Sequence, residues 1–162
     1  PMTAQYPQAA VVLDKHIYCD NANMFFIQID DVNETKLYAL AGIINSTIFS
    51  TFARAIANPQ RGGYFKFNKQ FLDPVPVPAK AFLTCNKNIK RLENIAKRIE
   101  QINEQIKMSV GGQTSGLELS LKDLWKELDE LCMKLYGIKN PEDKALLNSV
   151  VRKDRNPYGQ ES

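Results

Sequence analysis

Between Arg54 and Lys69 the chain gathers the residue types that hold phosphate and read base edges. Four cations stand there, Arg54, Arg61, Lys66 and Lys69, and no carboxylate follows until Asp73. Asn58, Gln60 and Asn68 add side-chain amides, which can pair bidentately with adenine. Gly62 and Gly63 let the backbone come close to a ligand, and Tyr64 adds a ring and a hydroxyl. The chemistry on offer is a set of charge-assisted bonds to phosphate, with one or two of the cations free to read guanine instead. The same letters also fit a plainer reading, a polar, glycine-rich turn between a helix and an edge strand.

The rest of the composition removes competitors. Cys19, Cys85 and Cys132 are scattered, His16 is the sole histidine, and no Cys/His cluster exists. A disulfide framework or a zinc site is therefore not expected, and a reducing cytoplasm is. No paired nucleophile and base is visible, which argues against an independent enzyme. The net charge of +3 in 162 residues fits a local basic face better than an electrostatic coat. No apolar run reaches the roughly 18 residues of a membrane span, so no membrane is expected as a partner. Pro1-Met2-Thr3 begins no signal peptide, and a start at Pro1 suggests a piece of a longer polypeptide.

The elements that must position the cationic stretch can be read on either side of it. Ala9 to Leu13, continued by Ile17 to Cys19, and Met24 to Ile29 read as two strands around the turn formers Asp20 to Asn23. Asn33 or Thr35 is the expected cap of a helical run from Lys36 to Ala57, where Leu37, Leu40, Ile44 and Ile48 recur at helical spacing. Asn45-Ser46-Thr47 should split that run into two helices or bend it, because these side chains compete for backbone partners. Asn58-Pro59 and Gly62-Gly63 read as breaks in regular structure, and Tyr64 to Phe67 as a short strand. Period-2 alternation puts Tyr64 and Lys66 on one face and Phe65 and Phe67 on the other. Asp73 to Pro78 reads as a stiff extended connector, its alternating prolines fixing φ.

A long helix should start near Leu83 or Thr84 and carry the stripe Ile89, Leu92, Ile95, Ile99, Ile102 and Ile106. Ser109 to Gly116 breaks it. A second stripe, Leu117, Leu121, Leu124, Leu128, Leu131 and Leu135, should end at Gly137. Two such helices around a short glycine-rich loop predict an antiparallel hairpin. Asn140-Pro141 then signals a last short helix by its cap and its proline.

In this order the parts resemble the TaqI-like C-terminal specificity domain. The resemblance is carried by Leu40-Ala41-Gly42-Ile43-Ile44-Asn45-Ser46-Thr47-Ile48-Phe49, by Arg61 to Leu72, by the proline series Pro74 to Pro78, and by the close on Leu135-Tyr136-Gly137-Ile138. It extends from Ala9 to Val151. It implies an α+β fold, with a small mixed strand/helix DNA recognition unit over residues 1–80. A long antiparallel helical hairpin and a short C-terminal helix would follow over 81–152, and a loose tail over 153–162. It implies a target recognition domain of adenine-specific DNA methyltransferases, alone or fused to an endonuclease in restriction-modification enzymes. The partners would be double-stranded DNA and the N-terminal methyltransferase domain of the same polypeptide. That domain would bind S-adenosylmethionine and methylate N6 of a flipped adenine.

The catalytic Asn-Pro-Pro-Tyr or Asn-Pro-Pro-Phe of such enzymes is incomplete at Asn58-Pro59-Gln60 and at Asn156-Pro157-Tyr158. This chain is thus expected to have no catalytic residue, metal or cofactor of its own, and no endonuclease motif is visible in it. Its expected DNA contacts are Arg54, Asn58, Gln60, Arg61, Gly62, Gly63, Tyr64, Lys66, Asn68 and Lys69. The competing expectation is a protein-interaction module, in which the apolar seams of the helical hairpin dimerise or dock on another part of a larger restriction system.

Overall fold

The apolar run after residue 33 forms two helices, α1 (Glu34–Ile44) and α2 (Thr47–Ile56), bent by 62° where Asn45 and Ser46 intervene. The computed structural model describes residues 4–13, 34–84, 86–109 and 114–150. The split falls where the sequence places it, and its side chains explain why. Ser46 Oγ donates to the Ile43 carbonyl at 2.6 Å and accepts from the Phe49 N–H at 3.2 Å, so one hydroxyl serves the end of α1 and the start of α2. Asp129 supplies a second cap from far along the chain. Its carboxylate accepts the Thr47 N–H at 2.8 Å and the Thr47 hydroxyl at 2.7 Å. A negative charge at a helix N-terminus is favoured by the helix dipole.

A small sheet follows. β1 (Asn58–Pro59) pairs antiparallel with β2 (Phe65–Lys66), and a 3₁₀ turn at Arg61–Gly63 joins them. Asn58-Pro59 was expected to break regular structure; it forms a strand instead. Pro59 is tolerated because its partner, Phe65, sends its own N–H and C=O to Ala4, at 2.8 and 3.1 Å. No ladder bond at Pro59 therefore needs the missing N–H. Gly62 and Gly63 adopt φ of 74° and 75°, the left-handed region that the turn demands.

The strand expected over Ala9 to Leu13 does not form. The amide of Asn45 takes the place of a neighbouring strand there, accepting the Ala9 N–H at 2.9 Å and donating to the Ala9 carbonyl at 2.7 Å. Ile17 to Cys19, Met24 to Ile29, the cap position Asn33 and the tail lie outside the described residues.

Beyond the sheet come two short helices that the sequence reading missed, α3 (Lys69–Leu72) and α4 (Ala79–Thr84). The proline connector between them buries Val75 and is tied down by the Tyr136 hydroxyl, which donates to the Pro76 carbonyl at 2.7 Å. Burial pushes the Tyr136 phenol up from its ordinary value of 10.0. The long helix α5 (Lys87–Met108) begins later than expected, because Asn86 caps it by accepting from Asn88 and Ile89. α6 (Ser115–Leu135) ends at Gly137, whose φ of 76° closes a Schellman motif with Ile138 N–H on the Met133 carbonyl. α7 (Pro141–Ser149) starts as read, with Asn140 as its cap.

The stripe of α5 is buried along its full length, and Leu121, Leu128 and Leu131 of α6 face the same core. The protein is thus mostly helical with a small antiparallel sheet, an α+β mixture. One cluster of buried side chains joins Ile43, Phe49 and Phe67 to Ile89, Leu92 and Leu128, so residues on both sides of position 80 share a core. α1 lies close on α5: a Cβ added at Gly42 would come within 3.2 Å of Leu92 Cδ1. At the rim of that contact Lys97 reaches Glu34 at 2.7 Å and Glu93 at 3.0 Å, with its ammonium over the Tyr38 ring. Hydrogen bonds to these carboxylates, Glu34 first, hold the ammonium charged well above its ordinary value of 10.5. Burial works against ionisation of Glu93, but hydrogen bonds from Lys97 and Thr35 outweigh it and lower its carboxyl below 4.5.

Two outcomes follow from these ties. Asp129→Ala should lower the free energy of unfolding by about 1–3 kcal/mol, since it strands the buried Thr47 hydroxyl and the first N–H of α2. Urea unfolding measures this, with Asp129→Asn expected to recover part of the loss. The Glu93 carboxyl, lowered in the fold, adds stability above pH 4.5 that disappears as pH falls through its folded value. The Lys97 ammonium, raised in the fold, adds stability below pH 10.5 that disappears at more alkaline pH. Lys97→Met should flatten both limbs of a stability-against-pH curve.

Candidate nucleic-acid interface

The β-hairpin gathers most of the expected contact residues at one place. Asn58, Gln60, Arg61, Gly62, Gly63 and Tyr64 are exposed, as is Lys69 at the start of α3. Arg54, Lys66 and Asn68 are half-buried. The turn is held shut by the Gln60 N–H on the Tyr64 carbonyl at 2.7 Å, which fixes the backbone beneath Arg61.

Pairing and alternation divide the hairpin into two faces. Asn58 lies opposite Lys66, so amide and ammonium stand side by side on one face. Pro59 lies opposite Phe65 on the other face. The Phe65 and Phe67 rings stack there with centroids 6.0 Å apart, and Phe67 is buried. The alternation read from Tyr64 to Phe67 is therefore the one that forms.

Arg54 belongs to the second face. Its guanidinium lies over Phe65 at 4.7 Å and over Tyr6 at 5.2 Å from the ring centroids. The four cations are thus not one patch: Lys66 stands with Asn58, Arg54 lies on the other face, Arg61 is exposed in the turn, and Lys69 is exposed at the start of α3. Tyr6 and Ala4 are the parts of this site that the sequence reading missed. Tyr6 has no periodic neighbour to mark it, and a single bridge at Ala4 leaves no pattern in the letters.

The charge balance here differs from that of the long helices. There acids are mixed with the cations: Arg91 meets Glu127 at 2.6 Å and Lys97 meets two carboxylates, though the other cations of α5 and α6 meet none among the described residues. Among the described residues Arg54, Arg61, Lys66 and Lys69 meet none. Cations without counter-charges concentrate positive potential at the hairpin. Asn68 is a different exception. It precedes α3 in extended conformation, yet its side chain caps nothing, and its Oδ1 is shut off from solvent without a hydrogen-bond partner. Asn45, Asn86 and Asn140 all use theirs.

Elsewhere, a shallow cleft of about 520 Å³ opens beside α1 and α5, lined by Glu34, Tyr38, Lys97 and Glu100 among others, and includes none of the hairpin residues. Its charged groups are engaged with each other: burial and a hydrogen bond to Glu100 push the Tyr38 phenol up from 10.0. Among the described residues no group of three or more metal-ligating side chains comes together, and no single helix is long and apolar enough to cross a membrane. No protein-family model, curated protein or solved structure matches the chain.

The unsatisfied Asn68 oxygen has a measurable consequence. A buried acceptor with no donor costs stability, and an apolar side chain of similar shape removes that cost. Asn68→Leu should therefore leave thermal stability unchanged or raise it by about 1 kcal/mol. A clear fall in melting temperature would mean that the amide is bonded after all.

Proposed function

We propose that this chain recognises a specific sequence in double-stranded DNA, as the target recognition domain of an adenine-N6 DNA methyltransferase of a restriction-modification system. The observation that carries the reading is the hairpin and its flanks, where cations that meet no carboxylate among the described residues stand with exposed amides on a buried helical base. Lys66, Lys69 and Arg54 would grip phosphates, while Arg61 at the turn and the amides of Asn58 and Gln60 would reach base edges. Gly62 and Gly63 keep the turn slim enough to approach a groove, and Tyr64, 42% exposed, would lie against the sugar–phosphate edge or a base. In this reading α5 and α6 form an antiparallel helical hairpin that stiffens the recognition unit. Methyl transfer from S-adenosylmethionine belongs to a methyltransferase domain elsewhere in the same polypeptide, and this chain contributes placement without chemistry.

The interaction-module reading draws on the same long helices, but their seams are largely spent, with only Leu117, Leu124 and Leu135 of α6 left half-buried. Ile89, Leu92, Ile102 and Leu128 are almost fully buried within the chain. A seam consumed by its own core has little apolar surface left for a second copy, which favours the DNA reading.

The test is an equilibrium titration of the chain, and of the intact polypeptide that contains it, against a randomised duplex pool at low and moderate salt. Binding should be salt-dependent and sequence-selective. Arg61→Ala should weaken the selected complex by roughly 1–3 kcal/mol and relax preference at one position. Unchanged affinity and unchanged preference would remove Arg61 from the site, and absence of duplex binding by the wild type would remove the function.

A further inference from the structure

The geometry points to a separate oxyanion site behind the hairpin: we propose that Arg54, braced between Tyr6 and Phe65, is preorganised to hold one phosphate group. The guanidinium has a ring at 5.2 Å and another at 4.7 Å. Both rings are themselves fixed. Tyr6 is 7% exposed, and Phe65 is stacked on Phe67 while its backbone is paired to Ala4. A ring attracts the guanidinium charge without accepting its N–H bonds in the way an oxygen does, and the group carries five donors. Among the described residues no carboxylate, carbonyl or hydroxyl accepts from it.

A half-buried charge with unused donors is costly unless something supplies acceptors. Water does so in part. A phosphate oxygen pair does so better, because its spacing matches the guanidinium fork and the bond is charge-assisted. The side chain is already immobilised, so capture of an anion orders little else. Were Arg54 only a brace for the N-terminal segment, its stem and its charge would suffice and the fork would be irrelevant. The carbonyls of the last turn of α2, where Arg54 sits, favour a cation but need no fork.

This inference deepens the DNA reading and rests on it only for the source of the phosphate, the sugar–phosphate backbone. Arg54 packs on Phe65 from the last turn of α2, so it would take a phosphate at the edge where the hairpin meets that helix, apart from any contact made by Lys66.

Two arms of one experiment separate the parts. In the first, the full chain is titrated with inorganic phosphate at constant ionic strength, with chloride as the balancing anion. The arginine Nε resonance of Arg54 and the melting temperature are followed. Wild type should show a saturable shift and a phosphate-dependent rise in melting temperature. Arg54→Met, which keeps the stem between the rings, should lose both, and Arg54→Lys should lose most of the rise. The comparison is made within each variant, so a lower starting stability does not mask it. In the second arm, duplex affinity is measured across salt. Arg54→Met should bind about tenfold more weakly, with a slope of log affinity against log salt shallower by about 0.9.

No saturable phosphate shift, together with an unchanged salt slope in Arg54→Met, overturns the oxyanion site and leaves the rest of the hairpin as the DNA contact. A saturable shift lost in Arg54→Met, with no duplex binding by the wild type, keeps the oxyanion site and removes DNA as its source.

Discussion

The carboxylate of Asp129 closes a break that apolar packing alone would not hold open. α1 and α2 are two parts of one apolar run, and a continuous helix would satisfy their backbone at least as well. What fixes the bend is a buried polar knot. Ser46 serves both helix ends, Ser50 returns its hydroxyl to the Ser46 carbonyl, and Asp129 takes both the N–H and the hydroxyl of Thr47. Each of these groups would be costly to bury unpaired, so the bend is specified by what it satisfies. The direction of α2 then decides everything downstream. It carries Arg54 in its last turn and releases the chain at Asn58, where the hairpin begins.

Much of this framework is legible in the letters because it rests on local rules. The isoleucine and leucine stripes of α5 and α6 repeat at helical spacing; that of α5 is buried throughout, while on α6 Leu121, Leu128 and Leu131 are buried and Leu117, Leu124 and Leu135 half-buried. Gly137 and Asn140-Pro141 punctuate the chain with residues whose backbone preferences leave few alternatives. The Asn45-Ser46-Thr47 split is legible for the same reason. Other features rest on partners that no local pattern reveals. Asp129 lies 82 residues from Thr47, and on the sequence it is one more charge on a helix surface. Ala9 to Leu13 has the composition of a strand, but Asn45 competes for its backbone and wins. Asn58-Pro59 looks like a break because proline usually is one, and it pairs here only because Phe65 turns its hydrogen bonds toward Ala4. α3 and α4 are too short for periodicity to show.

The candidate site shows the same division. Composition placed cations, amides and glycines together, and the hairpin does gather most of them. Composition did not tell which face each would occupy, because that depends on register. A shift of one residue in the pairing of Asn58 with Lys66 would exchange the faces and put Phe65 toward solvent. Register here is set from outside the hairpin, by the buried Phe67 and by the Ala4 bridge. Net charge was an equally blunt guide. A total of +3 is unremarkable, yet no carboxylate lies between Arg54 and Asp73, whereas acids and cations are mixed along the long helices. Location carries the electrostatic argument.

A sheet of two residues per strand has little stability of its own. Its order is borrowed from α2 below, through Arg54 on Phe65, and from the N-terminal segment beside it, through Ala4 and Tyr6. That dependence makes the hairpin a coupled part of the core and sets it apart from a free surface loop. The cations around it, which meet no carboxylate among the described residues, carry a small electrostatic cost. A fixed backbone with unneutralised charge is the combination that an anionic partner can use, because binding then supplies the missing counter-charge without first having to order the surface that receives it.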